Sequence, residues 1–221
     1  MKKNIKTACA ADFHSMLDVS IPEVDLLLIA GDLCPAYHDF LTSIDMQKDW
    51  LNCEFRNWLK RQPVKKVVIC PGNHDWIFER DINKVPDFGE NVHCLIDESI
   101  ELFGLKIYGT PWQLSFCDWA FNLPEERLKL CWDNIPEDID VLLCHSPPYG
   151  ILDKEIRNGH HIGSKTLLDR VMDIKPKAVI FGHNHNENGI VVKEGIRFVN
   201  CSLIDEEYIM NKQPIYLEIE K

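Results

Sequence analysis

The sequence contains no Cys-x-x-Cys pair, although it holds nine cysteines, at positions 9, 34, 53, 70, 94, 117, 131, 144 and 201. An odd count without that spacing argues against a structural zinc knuckle and against a disulfide framework. Cys9, Cys70 and Cys144 lie inside apolar runs and read as small buried hydrophobes in a reducing compartment. Long hydrophobic runs are missing too. The longest aliphatic stretch, Leu26–Ala30, falls far short of the ~20 apolar residues that cross a bilayer, so no membrane segment is expected. Nor is there a basic surplus: 24 Lys and Arg face 35 Asp and Glu, a net charge of −11. A grip on long nucleic acid sets cations against phosphates and is not expected here. A small phosphate ester stays open as a partner, because bound divalent cations supply local positive charge. Low-complexity tracts, linkers and internal repeats are absent. Met1-Lys2-Lys3 looks like a signal n-region, but Lys6 and Asp12 interrupt any apolar segment behind it, so a cytoplasmic protein without a secretory leader is expected.

What is present suits one α/β domain over residues 1–221. The chain is 45% hydrophobic and 27% charged, too apolar for disorder and long enough to bury a core. Five short apolar runs, Ile5–Ala11, Leu26–Ala30, Val67–Cys70, Val141–Cys144 and Ala178–Phe181, are near-continuous rather than alternating. That pattern marks strands buried on both faces. Phe40, Ile44, Leu51, Phe55, Trp58 and Leu59 recur near a 3.6 period and predict a long helix, with Trp50 and Trp58 packing from it. Ser164–Ile174 reads as a second helix, with Ser164 as its cap and Pro176 just beyond its end. Hairpins are predicted for Ile100–Leu102 with Leu105–Tyr108 and for Ile190–Val192 with Ile196–Val199, followed by a last strand, Ile215–Ile219.

The chemistry lies directly behind the five apolar runs. They lead into Asp12-Phe13-His14, Gly31-Asp32, Gly72-Asn73-His74-Asp75, His145 and Gly182-His183-Asn184-His185. Ligands of open α/β sheets bind at the carboxyl ends of the strands, so these segments are expected to converge. The glycines before Asp32, Asn73 and His183 are expected to supply tight turns. Singly, each motif has a bland reading: Asp-x-His arises by chance, and Gly-Asp after a strand is commonly a turn. The five in order, each behind its own strand, carry the functional reading. Imidazoles with carboxylates suit manganese, iron, zinc or similar divalent ions. Seven ligands exceed one tetrahedral site and fit two ions ~3.5–4 Å apart, the clamp for in-line displacement at phosphorus.

These blocks resemble those of the calcineurin-like metallophosphoesterase superfamily: D-x-H, G-D, G-N-H-[DE], H and G-H-x-H, here spread over residues 12–185. Within it the chain is most similar to the metallophosphoesterase-domain-containing proteins, through Tyr108-Gly109-Thr110-Pro111-Trp112-Gln113, Phe121-Asn122, Trp132, Ile135-Pro136, the stretch from His145 to Asp153, and Gly163-Ser164. The resemblance implies two mixed β-sheets packed as a sandwich and flanked by helices, the metallophosphoesterase fold. It implies that Asp12, His14 and His185 hold one metal, that Asn73, His145 and His183 hold a second, and that Asp32 bridges them. His74 would stand outside the metal ligands, near the leaving-group oxygen, oriented by Asp75. Phe13 and Ser146 replace the usual Thr and Gly, and Leu33-Cys34-Pro35 replaces the Asp-Arg-Gly of the Ser/Thr protein phosphatases, which points away from that branch. Some animal relatives lack the last histidine of G-H-x-H. His185 is present here, and fuller metal occupancy is expected.

The activity so implied is hydrolysis of small phosphodiesters, cyclic nucleotides included, by a hydroxide held between the two ions, with His74 giving a proton to the leaving group. Manganese (Mn2+) is the first choice of metal, with Fe, Zn and Mg as alternatives. The competing readings are a phosphomonoesterase, a dinucleoside polyphosphate hydrolase, or a non-catalytic scaffold on the same fold. Trp76, Trp112 and Tyr149 are candidates for stacking on a base. Arg157, His160 and His161 lie in a polar loop and read as phosphate contacts or as solvated surface; His38 and His93 read as structural. The oligomeric state leaves no mark on the sequence.

Overall fold

A computed structural model of the chain describes residues 4–37, 43–156 and 158–221. The strands predicted from the five apolar runs are β1 (Asn4–Ala10), β2 (Val24–Ala30), β3 (Val64–Cys70), β9 (Val141–Cys144) and β10 (Ala178–Phe181). They fall into two groups. β1, β2 and β3 pair side by side and parallel. β4 (Val92–Cys94) extends that sheet on one side, and β13 (Ile215–Glu220) closes it antiparallel on the other. β9 and β10 are parallel neighbours in a second sheet of order β11-β12-β10-β9-β6-β5. Its outer strands are the two predicted hairpins, β5 (Glu98–Leu102) with β6 (Leu105–Thr110) and β11 (Gly189–Lys193) with β12 (Ile196–Asn200).

Strand side chains alternate between faces, and both faces of these strands are apolar, so each sheet needs two covers. Ile5, Cys9, Leu26, Leu28 and Val68 of the first sheet meet Ile107, Val141, Leu143, Ile180 and Val199 of the second. On the far side of the first sheet, Ala8, Leu27, Ile29 and Ile69 pack against Leu51, Phe55 and Trp58. On the far side of the second, Leu142, Val179 and Phe198 pack against Leu128, Trp132, Leu167 and Val171. The result is helix, sheet, sheet, helix. This is the expected sandwich of two mixed sheets.

The first helix among the described residues, α1, runs through Ile44–Trp50, a π-helical turn at Leu51–Phe55, and Arg56–Arg61. Ser43 caps it, accepting from the Met46 amide at 3.4 Å. Phe40, which the periodicity included, and His38 lie outside the described residues. Trp50 and Trp58 both stack on Phe55. The fourth helix, α4 (Lys165–Ile174), is capped by Ser164 as predicted, its Oγ accepting from the Leu167 amide at 3.1 Å. Among the described residues, two α-helices have no counterpart in the sequence reading. α2 (Trp76–Arg80) is a five-residue turn inside a motif, too short to show a period. α3 (Glu125–Asp133) starts behind Pro124 and buries Leu128 and Trp132, with Cys131 packed beside them. The strand pair β7 (Gln113–Leu114) and β8 (Asn122–Leu123) is likewise too short for a pattern. All nine cysteines are free thiols, five of them buried. Among the described residues no helix is long and apolar enough to cross a membrane.

Trp58 is 1% exposed and donates its indole N–H to the Val19 carbonyl at 2.8 Å. Trp58→Ala is expected to cost about 3–5 kcal/mol of unfolding free energy, read from the midpoint shift in a urea titration at unchanged slope.

Candidate metal centre

β1, β2 and β3 run parallel in one sheet, and β9 and β10 run parallel in the other, so the five carboxyl ends come to a common edge. Main-chain bonds tie the emerging loops together. The Asp12 amide donates to Gly31 O at 3.0 Å and the His14 amide to Asp32 O at 3.1 Å; the Gly182 amide donates to His145 O at 3.2 Å. The loop backbones are strained where the motifs sit. Asp12, His14, Asp32 and His183 all take left-handed φ values, +57°, +43°, +54° and +66°, a conformation costly outside glycine and concentrated at functional sites. The glycines serve differently from expectation. Gly31 does turn left-handed, at φ +91°, but Gly72 and Gly182 do not. A methyl group on Gly72 would strike the Asp32 carboxylate and amide and the His145 ring. That glycine is there for close approach.

The side chains of all seven expected ligands meet at this edge. Asp32 Oδ2 stands 3.5 Å from His14 Nε2 on one side and 3.5 Å from His145 Nε2 on the other. Asn73 Oδ1 lies 2.7 Å from His145 Nε2 and 2.9 Å from His183 Nδ1. Asp12 Oδ1 lies 3.7 Å from His185 Nε2, and Asp12, His14 and His185 offer donor atoms within 4.8 Å of one another. His145 Nδ1 donates to the Ala30 carbonyl at 2.8 Å, which fixes the ring with Nε2 turned inward. His14 is the sharpest sign. It is buried, yet neither ring nitrogen has a hydrogen-bond partner among the described residues. Native interiors seldom leave such a group unpaired, and an ion at this spot would satisfy it. Imidazole, carboxylate and amide oxygen at these spacings fit a pair of divalent cations.

The electrostatics agree. Burial opposes ionisation of Asp32, but His145, His74 and His14 outweigh it and hold its carboxyl well below the ordinary value. Asp12 is lowered likewise against its burial, chiefly by His185. Burial drives His183 down to about 3, with His145 adding to it, and drives His14 well below its usual range, with His74 adding. Both are therefore neutral and free to coordinate. His145 is the opposite case: burial works against its charge, but Asp32 and Asp12 raise it to about 9. His185 is also raised against its burial, by the Asp12 carboxylate.

His74 stands one step out. Its Nε2 is 3.9 Å from Asp32 Oδ2 and its ring meets His14 edge-on at 4.5 Å between centroids. Its amide donates to Asp32 Oδ1 at 2.8 Å, and its Nδ1 has no partner among the described residues. Asp75 does not orient it as expected. The Asp75 carboxylate turns away and accepts from the amides of Gly72 at 2.8 Å, Cys34 at 2.9 Å and Leu33 at 3.0 Å, so it fastens the β2 loop to the β3 loop. Burial and the Asp32 charge raise its pKa to about 6 despite those donors. His74 is positioned instead by residues the sequence reading missed. Gln47, buried on α1, donates from Nε2 to the His74 carbonyl at 2.8 Å and accepts the Ile77 amide at 2.9 Å. Trp119 lies against the His74 ring, centroids 4.1 Å apart, and Tyr208 meets the rings of His14 at 4.9 Å and His185 at 5.4 Å. A lone Gln on an apolar helix face was a readable signal; Trp119 and Tyr208 come from loops with none.

The proposed stacking residues fare differently. Trp76 is 5% exposed, turned into the core with the Arg80 guanidinium 3.7 Å above its ring. Trp112 donates to Asp97 at 2.7 Å and packs on Phe121. Tyr149 rests on His161, whose Nδ1 bonds the buried Asp153 at 2.6 Å. His160 is exposed, His93 sits half-buried on β4, and Arg157 lies outside the described residues.

Residues 7–187 match the family model described as calcineurin-like phosphoesterase. Human metallophosphoesterase domain-containing protein 1 is 29% identical over 96% of this chain and 70% of its own length. A Caenorhabditis elegans UPF0046 protein is 30% identical over 98% of this chain and 60% of its own length. Among solved structures, TT1561 of Thermus thermophilus shares the fold at a TM-score of 0.60 and 12% identity, covering 92% of this chain and 90% of that one. The phosphopantetheinyl hydrolase of Mycobacterium tuberculosis does so at 0.59 and 15%, covering 98% and 95%. The chain belongs to the calcineurin-like phosphoesterase family, a family of metal-dependent phosphoester hydrolases that typically bind a dinuclear centre.

Because His145, raised to about 9, holds a proton in the metal-free site, metal binding must displace it. Apparent affinity for Mn2+ is expected to rise with pH toward about 9, the His145 value, and to level off above it. Calorimetry in buffers of different ionisation enthalpy is expected to show net proton release on binding.

Proposed function

We propose that this family member hydrolyses small phosphodiesters, cyclic nucleotides among them, with two divalent ions, manganese first. Asp12, His14 and His185 would hold one ion and Asn73, His145 and His183 the other, with Asp32 shared. The observation that carries this reading is the Asp32 carboxylate oxygen 3.5 Å from an imidazole of each set. When bound, the ions supply positive charge against the phosphoryl oxygens and acidify water.

The protein's own residues do the rest. The left-handed loops and the Asp75 fastening keep the donors fixed, so little reorganisation accompanies the reaction. His74 Nε2 moves a proton at the leaving oxygen. Burial lowers the His74 pKa, against the pull of Asp32, which makes its imidazolium a stronger acid toward a departing alkoxide. The complete donor set supports an enzyme over a scaffold. The net charge of −11 supports a small ester over a long nucleic acid, since an extended polyanion would be repelled outside the site. Five buried free thiols support residence in the reducing cytoplasm.

Manganese-loaded protein is expected to turn over bis(4-nitrophenyl) phosphate; two bound ions without turnover would point to the scaffold. In His74→Ala, turnover of esters with poor alkyl leaving groups is expected to fall by ~10²–10⁴, that of activated aryl esters far less, and metal content to stay at the wild-type level. Equal loss on both ester types would remove the proton-donor role. Asp32→Asn is expected to lose metal, read by elemental analysis of protein purified without chelator.

A further inference from the structure

We propose that the pocket beside His14 is a subsite for one uncharged aromatic ring of the ester, a nucleobase or an aryl group. The preferred substrates are then nucleoside or aryl esters carrying a single phosphate, and dinucleoside polyphosphates are disfavoured. This rests on the reading above, that phosphorus sits at the Asp32 centre.

The cavity has a volume of about 260 Å³ and is lined by His14, Met16, Ala36, Tyr37 and Tyr208. His14 is common to the cavity and to the Asp32 cluster, so a group held in the cavity lies next to the phosphoryl position. The volume falls below the ~300–1,000 Å³ of pockets for drug-sized ligands. It is sized for one ring system.

The lining chemistry selects what that group can be. Tyr37 and Tyr208 both line the cavity and are 69% and 42% exposed. Met16 adds a thioether, which contacts aromatic rings favourably. Among the described residues, no Lys, Arg, Asp or Glu lines the cavity. A second phosphate would find no counter-cation there, on a chain of net charge −11.

One wall is built rather than loose. Tyr208 takes φ +59°, a left-handed conformation uncommon for a bulky residue. The Asp205 carboxylate holds that turn by accepting the Glu207 and Ile209 amides, each at 3.0 Å, while the Tyr208 amide bonds Asp205 O at 3.0 Å. Lys212 pins the far end of the loop to the carbonyls of Ile204, at 2.8 Å, and His185. The turn thus sets the Tyr208 ring against His14 and His185 and leaves its remaining surface to the cavity.

The test is a calorimetric titration of the metal-loaded full chain with adenosine 5′-phosphate, ribose 5-phosphate and diadenosine tetraphosphate. Adenosine 5′-phosphate is expected to bind about tenfold tighter than ribose 5-phosphate, the usual scale of one stacked base, and tighter than diadenosine tetraphosphate. Tyr37→Ala combined with Met16→Ala is expected to remove most of that ratio, and Tyr37→Phe to retain it. Equal binding of the first two ligands by the wild type, an unchanged ratio in the double variant, or tighter binding of diadenosine tetraphosphate would each overturn the subsite. Hydrolysis assays on the same samples separate the two ideas. An intact ratio without turnover supports the subsite and removes the hydrolase reading; turnover without the ratio removes the subsite alone.

Discussion

The structure is arranged around one buried carboxylate. Asp32 places Oδ2 at 3.5 Å from imidazoles delivered by two different sheets, while Oδ1 takes the His74 amide. A carboxylate buried this deeply is costly unless opposite charge and donors surround it. Asp32 meets that condition only if β1, β3 and β9 all end at the right height beside β2. Its left-handed backbone and the missing side chain at Gly72 are the local concessions that let those loops close on it.

Two sheets are needed because one would not bring enough donors to a point. Neighbouring strands lie ~4.8 Å apart, so a single edge spreads its loops along a line. Packing the carboxyl ends of β9 and β10 against those of β1 to β3 turns that line into a cup. The apolar face shared by the sheets, from Ile5 and Leu28 to Val141 and Ile180, holds the two halves in register. The fastenings around the cup are polar and buried: Asp75 joins the loops after β2 and β3, and Gln47 joins α1 to the His74 turn. Stability from the core is thereby converted into fixed positions for groups that would otherwise repel or stay unpaired.

Charge state and position reinforce each other. The aspartates are ionised and His14 and His183 are neutral because of the same burial and the same neighbours that set their spacing. The site is thus poised for cations before any are bound, with His145 holding a proton in their place. Tyr208 packs on the rings of His14 and His185, and Trp119 on that of His74.

Much of this was legible in the residues. Apolar runs such as Val67–Cys70 and Val141–Cys144 specify buried strands because their side chains have no polar face to offer water, and Ser164 marks a helix start because its hydroxyl can satisfy an end amide. The five motifs point to a metal cluster because they follow in order, each behind its own buried strand, with donors that suit divalent ions. Chain order, by contrast, says nothing about what a loop meets from a distant segment. That Asp75 bonds the amides of Leu33 and Cys34 rather than His74, that Gln47 holds the His74 turn, that Trp76 faces the core while Tyr37 and Tyr208 flank the cavity, and that Gly72 is needed for closeness rather than for a turn, were all decided by packing. Local sequence determines which face of an element is apolar and which groups can bind a metal. Only the folded chain decides which of them come within bonding reach of each other, because that distance depends on how two separate sheets stack.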